Sequence, residues 1–203
     1  MRNTIKLLGD FLEVLPVIER DEFTVRLHSD ASFDNQAETK RRKERHIIGY
    51  GYCIELSPFA PQGALPAYGL GTFVQNVNYC SATAELMGIL HALRETGLDR
   101  DLEILCDNRD AINIMSHVFA GYTASQFQVT HGLRDVIRQF EVYRGRNITA
   151  RWVRGHAGNL YNHAVDELAR IARKTREKAT QEHYVARRIA RTMVNFQGMH
   201  SAE

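Results

Sequence analysis

Between Ile148 and Ala172 the hydrophobic period of the chain changes once, and that change constrains the fold more than any other feature. Ile148, Ala150 and Trp152 alternate with polar neighbours, which is the period of a strand. Gly155 and Gly158 then interrupt the pattern. Beyond them Val165, Leu168, Ala169 and Ala172 recur at the i, i+3, i+4, i+7 spacing of a helix with one buried face. A strand that feeds a helix in this way is the building unit of α/β sheets. His156 lies on the Gly-flanked loop, and Asp166, ten residues on, lies inside the helix.

The same unit occurs earlier. LEILC, Leu102 to Cys106, is a short apolar strand that runs straight into a helix from about Asn108 to Phe119. Upstream, Phe23, Val25 and Leu27 alternate in a strand ending near Asp30. Ile47–Leu56 and Ala67–Gln75 read as two more strands, separated by the Pro/Gly-rich SPFAPQGALP. In SATAELMGILHALRETG, Leu86, Ile89, Leu90 and Leu93 form a buried stripe, with Ser81 as the cap and Gly97 as the stop. A further helix is expected over about Ala124–Tyr143, and a short amphipathic one over residues 4–15 ahead of Pro16. Three strands, a helix, a strand, helices, a strand and a helix make an α/β sheet that opens with antiparallel hairpins and continues through crossover helices. The chain divides into an N-terminal helical extension (1–20), one α/β domain (21–173) and a basic helical extension (174–203).

Composition narrows the setting. The 203 residues, 44% hydrophobic and 25% charged, are those of an ordinary globular chain. No apolar run approaches the roughly 20 residues that span a bilayer, so no membrane association is expected. Acids within the apolar N-terminal stretch argue against a secretory signal. Cys53, Cys80 and Cys106 form no CxxC pair and read as buried thiols in a reducing compartment, hence a cytoplasmic protein. The net charge of +2 is unevenly spread: KRRKER (Lys40–Arg45) holds five bases against one acid, and residues 170–191 hold eight against two. Such stretches are either solvated faces or contacts to a polyanion.

Ligand sites in open α/β sheets gather where strands end. Asp30 closes the first strand and Asp107 the fourth, although burying an unpaired charge is costly. Glu85 borders the stripe of its helix, and Asp166 adjoins Val165. Each has an ordinary explanation. Asp30 can be a turn residue, Asp107 a helix cap, Glu85 a first-turn acid, and Asp166 a solvated residue like Glu167 beside it. Taken together, four such acids suggest a site whose repulsion is relieved by raised pKa values or by cations. Donors that are all oxygen suit magnesium or manganese.

Over about residues 23–173 the chain resembles type 1 ribonuclease H. LHSDAS resembles the family's first-strand aspartate motif, with Ala31 where a glycine is usual, and GYGYCI its second strand. TAELMGILHAL is similar to the helix carrying the family glutamate, LCDNRDAI to the fourth-strand aspartate, and WVRGHAGN…N…DELA to the C-terminal signature. The resemblance implies a ribonuclease H-like fold: a five-stranded mixed sheet, three antiparallel strands then two parallel, flanked by helices. It implies an endoribonuclease that hydrolyses the RNA strand of RNA/DNA hybrids with two Mg2+ ions, Mn2+ being the alternative, clamping the attacking and leaving oxygens.

By that resemblance Asp30, Glu85, Asp107 and Asp166 are the metal-binding acids. Asp30 bridges both ions, Asp166 serves the ion that activates water, and Glu85 and Asp107 serve the one at the leaving 3′ oxygen. His156 shuttles protons, and Asn162, one turn before Asp166, fixes a water or phosphate. Ser32, Ser81 and Thr83 fall on the substrate side, the last two where the family contacts the RNA minor groove. MSHVFAGYTASQFQVTHG contains no Lys or Arg, so the basic protrusion of some members is missing. Lys40, Arg41, Arg42 and Lys43, with the basic tail, are candidates to replace it. The implied partner is hybrid nucleic acid, bound by a monomer. A fold-sharing DNA nuclease, resolvase or transposase-like enzyme, and a non-catalytic hybrid-binding module, stay open as alternatives.

Overall fold

The computed structural model describes residues 24–33, 46–56, 60, 64–75, 80–99, 101–155, 159–178 and 182–200. The helix expected over 4–15, the bases Lys40–Lys43 and the loop carrying His156 lie outside the described residues. Strands β1 (Val25–Ser32), β2 (His46–Ile54), β3 (Tyr68–Gln75), β4 (Leu102–Cys106) and β5 (Ile148–Trp152) form one sheet in the order β3-β2-β1-β4-β5. β1 pairs antiparallel with β2 and β2 with β3, whereas β1–β4 and β4–β5 are parallel. The expected sheet is the one observed.

Helices cover both faces. Leu27, Tyr50, Tyr52 and Ile104 pack with α1 (Ser81–Thr96), α2 (Arg109–Phe119) and α3 (His131–Phe140). Cys53 and Leu70 pack with α4 (Leu160–Lys178) and α5 (Glu182–His200). α1 stops as its sequence predicts: Gly97 turns left-handed (φ 69°) and returns its N–H to the Leu93 carbonyl at 3.0 Å. β2 meets α4 through glycines, because a Cβ on Gly51 would lie 2.5 Å from the Val165 carbonyl oxygen, and one on Gly49 only 2.0 Å from that of Ala169. Any side chain there would push the helix off the sheet. Among the described residues no helix is long and apolar enough to cross a membrane.

Three expectations change. The helix expected over 124–143 is broken into a 3-10 turn (Ala124–Gln126), α3, and a second 3-10 turn (Glu141–Tyr143). Thr123 and Gln126 close a capping box on one another, and Phe127 then adopts extended backbone that ends the turn. Cys80, not Ser81, is the N-cap of α1, and it makes no side-chain cap bond. Cys80 is also exposed, while Cys53 and Cys106 are buried as expected.

The basic C-terminal extension has an apolar face of its own. α4 runs past residue 173 to Lys178, and α5 then folds back along it. Val185, Ile189, Met193 and Phe196 are buried against Tyr161, Val165, Leu168 and Ile171. The rings of Tyr161 and Phe196 meet edge to face at 4.8 Å. At about 1.5–3 kcal/mol for each fully buried apolar side chain, this seam holds α5 firmly on the domain.

Candidate active site

Three of the expected acids meet, although β1 runs on to Ser32, so Asp30 sits within the strand and does not close it. Asp30 lies in β1 opposite Gly51, buried, with Oδ1 accepting the Ala31 N–H at 2.7 Å. Glu85, in the second turn of α1, is 4% exposed, too deep for a solvated first-turn acid. Asp107 directly follows β4. Each offers one carboxylate oxygen within 4.8 Å of the other two.

Asp107 is not a helix cap. That work falls to Asn108, whose Oδ1 accepts the Ala111 N–H at 3.0 Å, which leaves the neighbouring carboxylate free. The strand end is fixed from β5: the Trp152 indole N–H donates to the Asp107 carbonyl at 2.9 Å, and the Arg109 guanidinium lies 4.3 Å over the same indole ring. The chain after β5 then passes so close that a Cβ on Gly155 would lie 2.6 Å from Asp107 Oδ2. Glu85 is held by Cys106, whose thiol donates to Oε2 at 3.7 Å and itself accepts the Asn108 N–H at 3.4 Å. The sequence reading missed Cys106, Trp152 and Gly155. The available signals were a cysteine abutting the strand-ending aspartate and a glycine just after the last strand.

The acids strain one another electrostatically. Burial, with the charges of Asp107 and Asp166 behind it, pushes the Asp30 carboxyl up to about 7. Burial, then Asp30 and Asp107, drives Glu85 well above the usual carboxylate range. Burial beside Glu85 likewise raises the Cys106 thiol, keeping it a neutral donor. Among the described residues no Lys, Arg or His forms an ion pair with Asp30, Glu85 or Asp107. A hard divalent cation fits this donor set, because carboxylate oxygens are its preferred ligands and its charge relieves the repulsion.

α4 adds the remaining groups. Asp166 is partly exposed and lies outside the three-carboxylate cluster, yet near enough for its charge to raise Asp30. The glycine contact of β2 with Val165 explains this approach, since Gly51 pairs with Asp30 and Val165 precedes Asp166. Asn162 is 2% exposed, and its Oδ1 has no hydrogen-bond partner among the described residues, which leaves a buried acceptor available. His156 and Lys40–Lys43 lie outside the described residues.

The hydroxyls differ in availability. Ser32 Oγ accepts from Arg173 Nε at 3.1 Å. Ser81 is exposed and accepts from Asn108 Nδ2 at 3.1 Å. Thr83 is buried, with its hydroxyl 3.2 Å from the Cys80 thiol. Glu167 is no solvated acid, because Arg170 and, from α5, Arg188 both bond its carboxylate.

A protein-family model described as RNase H matches residues 24–174. Ribonuclease H of Anaeromyxobacter dehalogenans strain 2CP-1 is 31% identical over 94 residues, covering 43% of this chain and 51% of that protein. The Ribonuclease H of Anaeromyxobacter sp. strain K is 30% identical over 94 residues. The chain spans about half the length of the curated relatives it matches. Among solved structures, the fold is similar to that of LC9-RNase H1, described as a type 1 RNase H with the type 2 active-site motif. The TM-score is 0.56 at 18% identity, over 81% of this chain and 84% of that one. The N-terminal RNase H domain of Rv2228c from Mycobacterium tuberculosis, solved as a maltose-binding-protein fusion, gives a TM-score of 0.51 at 17% identity. That likeness covers 78% of this chain and 99% of that one.

Proposed function

From the premise that the chain belongs to the RNase H family, we propose that it is an endoribonuclease that hydrolyses the RNA strand of RNA/DNA hybrids with divalent cations. The observation that carries the reading is the convergence of Asp30, Glu85 and Asp107 within 4.8 Å, with no basic side chain paired to them among the described residues. Asp30, Glu85, Asp107 and Asp166 are the residues assigned to hold two Mg2+ ions, or Mn2+ in their place. When bound, such ions stabilise the charge that develops on the oxygens of an in-line phosphoryl displacement.

The chain's own groups position the reaction. Asp30, buried and raised further by the charges of Asp107 and Asp166, is assigned to both ions. Cys106 and Trp152 act through others as positioning residues, the first holding the Glu85 carboxylate and the second the Asp107 backbone. Asn162 offers its unpaired buried oxygen to a water or a substrate hydroxyl. His156, whose ordinary pKa of about 6.5 lies near neutrality, is assigned to proton transfer and product release. Ser81, exposed at the start of α1, is the hydroxyl best available to an RNA 2′-OH, with Ser32 and Thr83 beside it in the assignment. Lys40, Arg41, Arg42 and Lys43 supply phosphate contacts. The domain from 21 to 173 would carry the chemistry, acting as a cytoplasmic monomer.

Cleavage of end-labelled RNA/DNA, RNA/RNA and DNA/DNA duplexes with Mg2+ tests the reading. The expected product is a cut RNA strand from the hybrid alone, lost in Asp107→Asn. Preferred cutting of duplex DNA would instead make the chain a fold-sharing DNA nuclease. Binding of hybrid with no cutting would make it a non-catalytic module.

A further inference from the structure

We propose that the groove between α4 and α5 binds the sugar–phosphate backbone of the hybrid beyond the cleaved step. The proposal rests on the functional reading above, and it concerns a groove whose α5 wall lies past the family match, which ends at residue 174. The groove, of about 420 Å³, is lined by His163 and Glu167 of α4 and by Tyr184, Arg187, Arg188 and Arg191 of α5.

Its charge is not balanced internally. Glu167, the one acid on its wall, is already bonded by Arg170 and Arg188. Arg187 and Arg191 are exposed and have no ion-pair partner among the described residues. They stand four residues apart on one helix, a like-charge spacing that weakens a helix unless an anion lies between them. That spacing is also about 6 Å along the axis, which lets both guanidinium groups reach phosphates of one strand. Tyr184, 50% exposed, adds a hydroxyl and a ring face beside them.

Position makes nucleic acid the fitting occupant. His163 and Glu167 directly follow Asn162 and Asp166 in α4, so the groove wall is the flank of the helix that carries the proposed site. A helix is about 10–12 Å across with its side chains, so a polyanion seated at the acids passes the groove within a few nucleotides. A lipid surface fits poorly, because the apolar face of α5 is spent on α4.

The test measures affinity of the full chain for a fluorescent RNA/DNA hybrid between 50 and 200 mM salt, with Asp30→Asn present to stop turnover. Removing both charges in R187Q/R191Q is expected to lower the slope of log affinity against log salt by about 1.8, at about 0.9 per phosphate contact. Roughly tenfold weaker binding at low salt is expected with it. R187K/R191K, which keeps the charges, should retain the slope. An unchanged slope and affinity in the Gln variant would overturn the proposal, as would equal losses in the Lys and Gln variants, which mark a structural effect. The failures are separable: a wild-type chain that cuts no hybrid overturns the functional reading, whereas the groove is decided by the salt slope and affinity of the Gln and Lys variants, with no cleavage measured.

Discussion

Gly155 lies against Asp107, and a Cβ there would come 2.6 Å from the carboxylate Oδ2, well inside van der Waals contact. The glycine is therefore a spacer for an acid on a different element. Gly155→Ala should displace the Asp107 carboxylate and lower kcat by roughly tenfold or more, since small misplacements at a reacting centre are costly. Steady-state cleavage and a thermal melt of the variant check this; wild-type kcat would show that the carboxylate has room to yield.

The buried Cys106 thiol donates to the Glu85 carboxylate. Cys106→Ala removes the donor and opens a small cavity, which should cost about 1–2 kcal/mol of stability and several-fold in kcat. Cys106→Ser keeps a donor, so its kcat should lie nearer to wild type. Paired melts and rate measurements distinguish the two, and indistinguishable Ala and Ser rates would remove Cys106 from the positioning role.

Asp30 gives the chain a pH-dependent stability. Its folded pKa, about 7, lies above the ordinary value of about 3.9 for an unfolded aspartate. The folded state therefore binds the proton more tightly, and its contribution is fully present below pH ~4 and lost as pH rises through ~7. Glu85 shifts in the same direction. In EDTA the melting temperature should fall across that window, and Mg2+ should raise it more at pH 8 than at pH 5. A magnesium effect independent of pH would break the link between the acids and the cation.

The seam between α4 and α5 predicts a structural role for the C-terminal helix. Phe196 is 1% exposed and meets the Tyr161 ring, so Phe196→Ala should cost about 3–5 kcal/mol. Chemical denaturation measures it. A loss below about 1 kcal/mol would mean that α5 is only loosely docked.

How much of this was legible in the sequence varies with physical cause. β4 and the Gly97 stop were plain, because a five-residue apolar strand and a left-handed glycine are local signals. The Asp107 carboxylate was visible, but its freedom was not: Asp and Asn both cap helices, and only the register shows that Asn108 takes the cap. The break before α3 escaped notice because Phe127 and Val129 stay packed on the core after the helix has ended. In α5 the stripe Val185, Ile189, Met193 and Phe196 has helical spacing, yet the surplus of bases over residues 170–191 is the more conspicuous signal of that segment. The convergence of Asp30, Glu85 and Asp107 rests on strand pairing and helix packing, which no single segment encodes.

Titration of Mn2+ into the metal-free chain, followed by electron paramagnetic resonance, tests most directly whether these acids form a cation site. Saturable binding in the wild type, lost in Asp30→Asn and weakened in Asp166→Asn, is the predicted result. Identical binding curves for wild type and Asp30→Asn would contradict it.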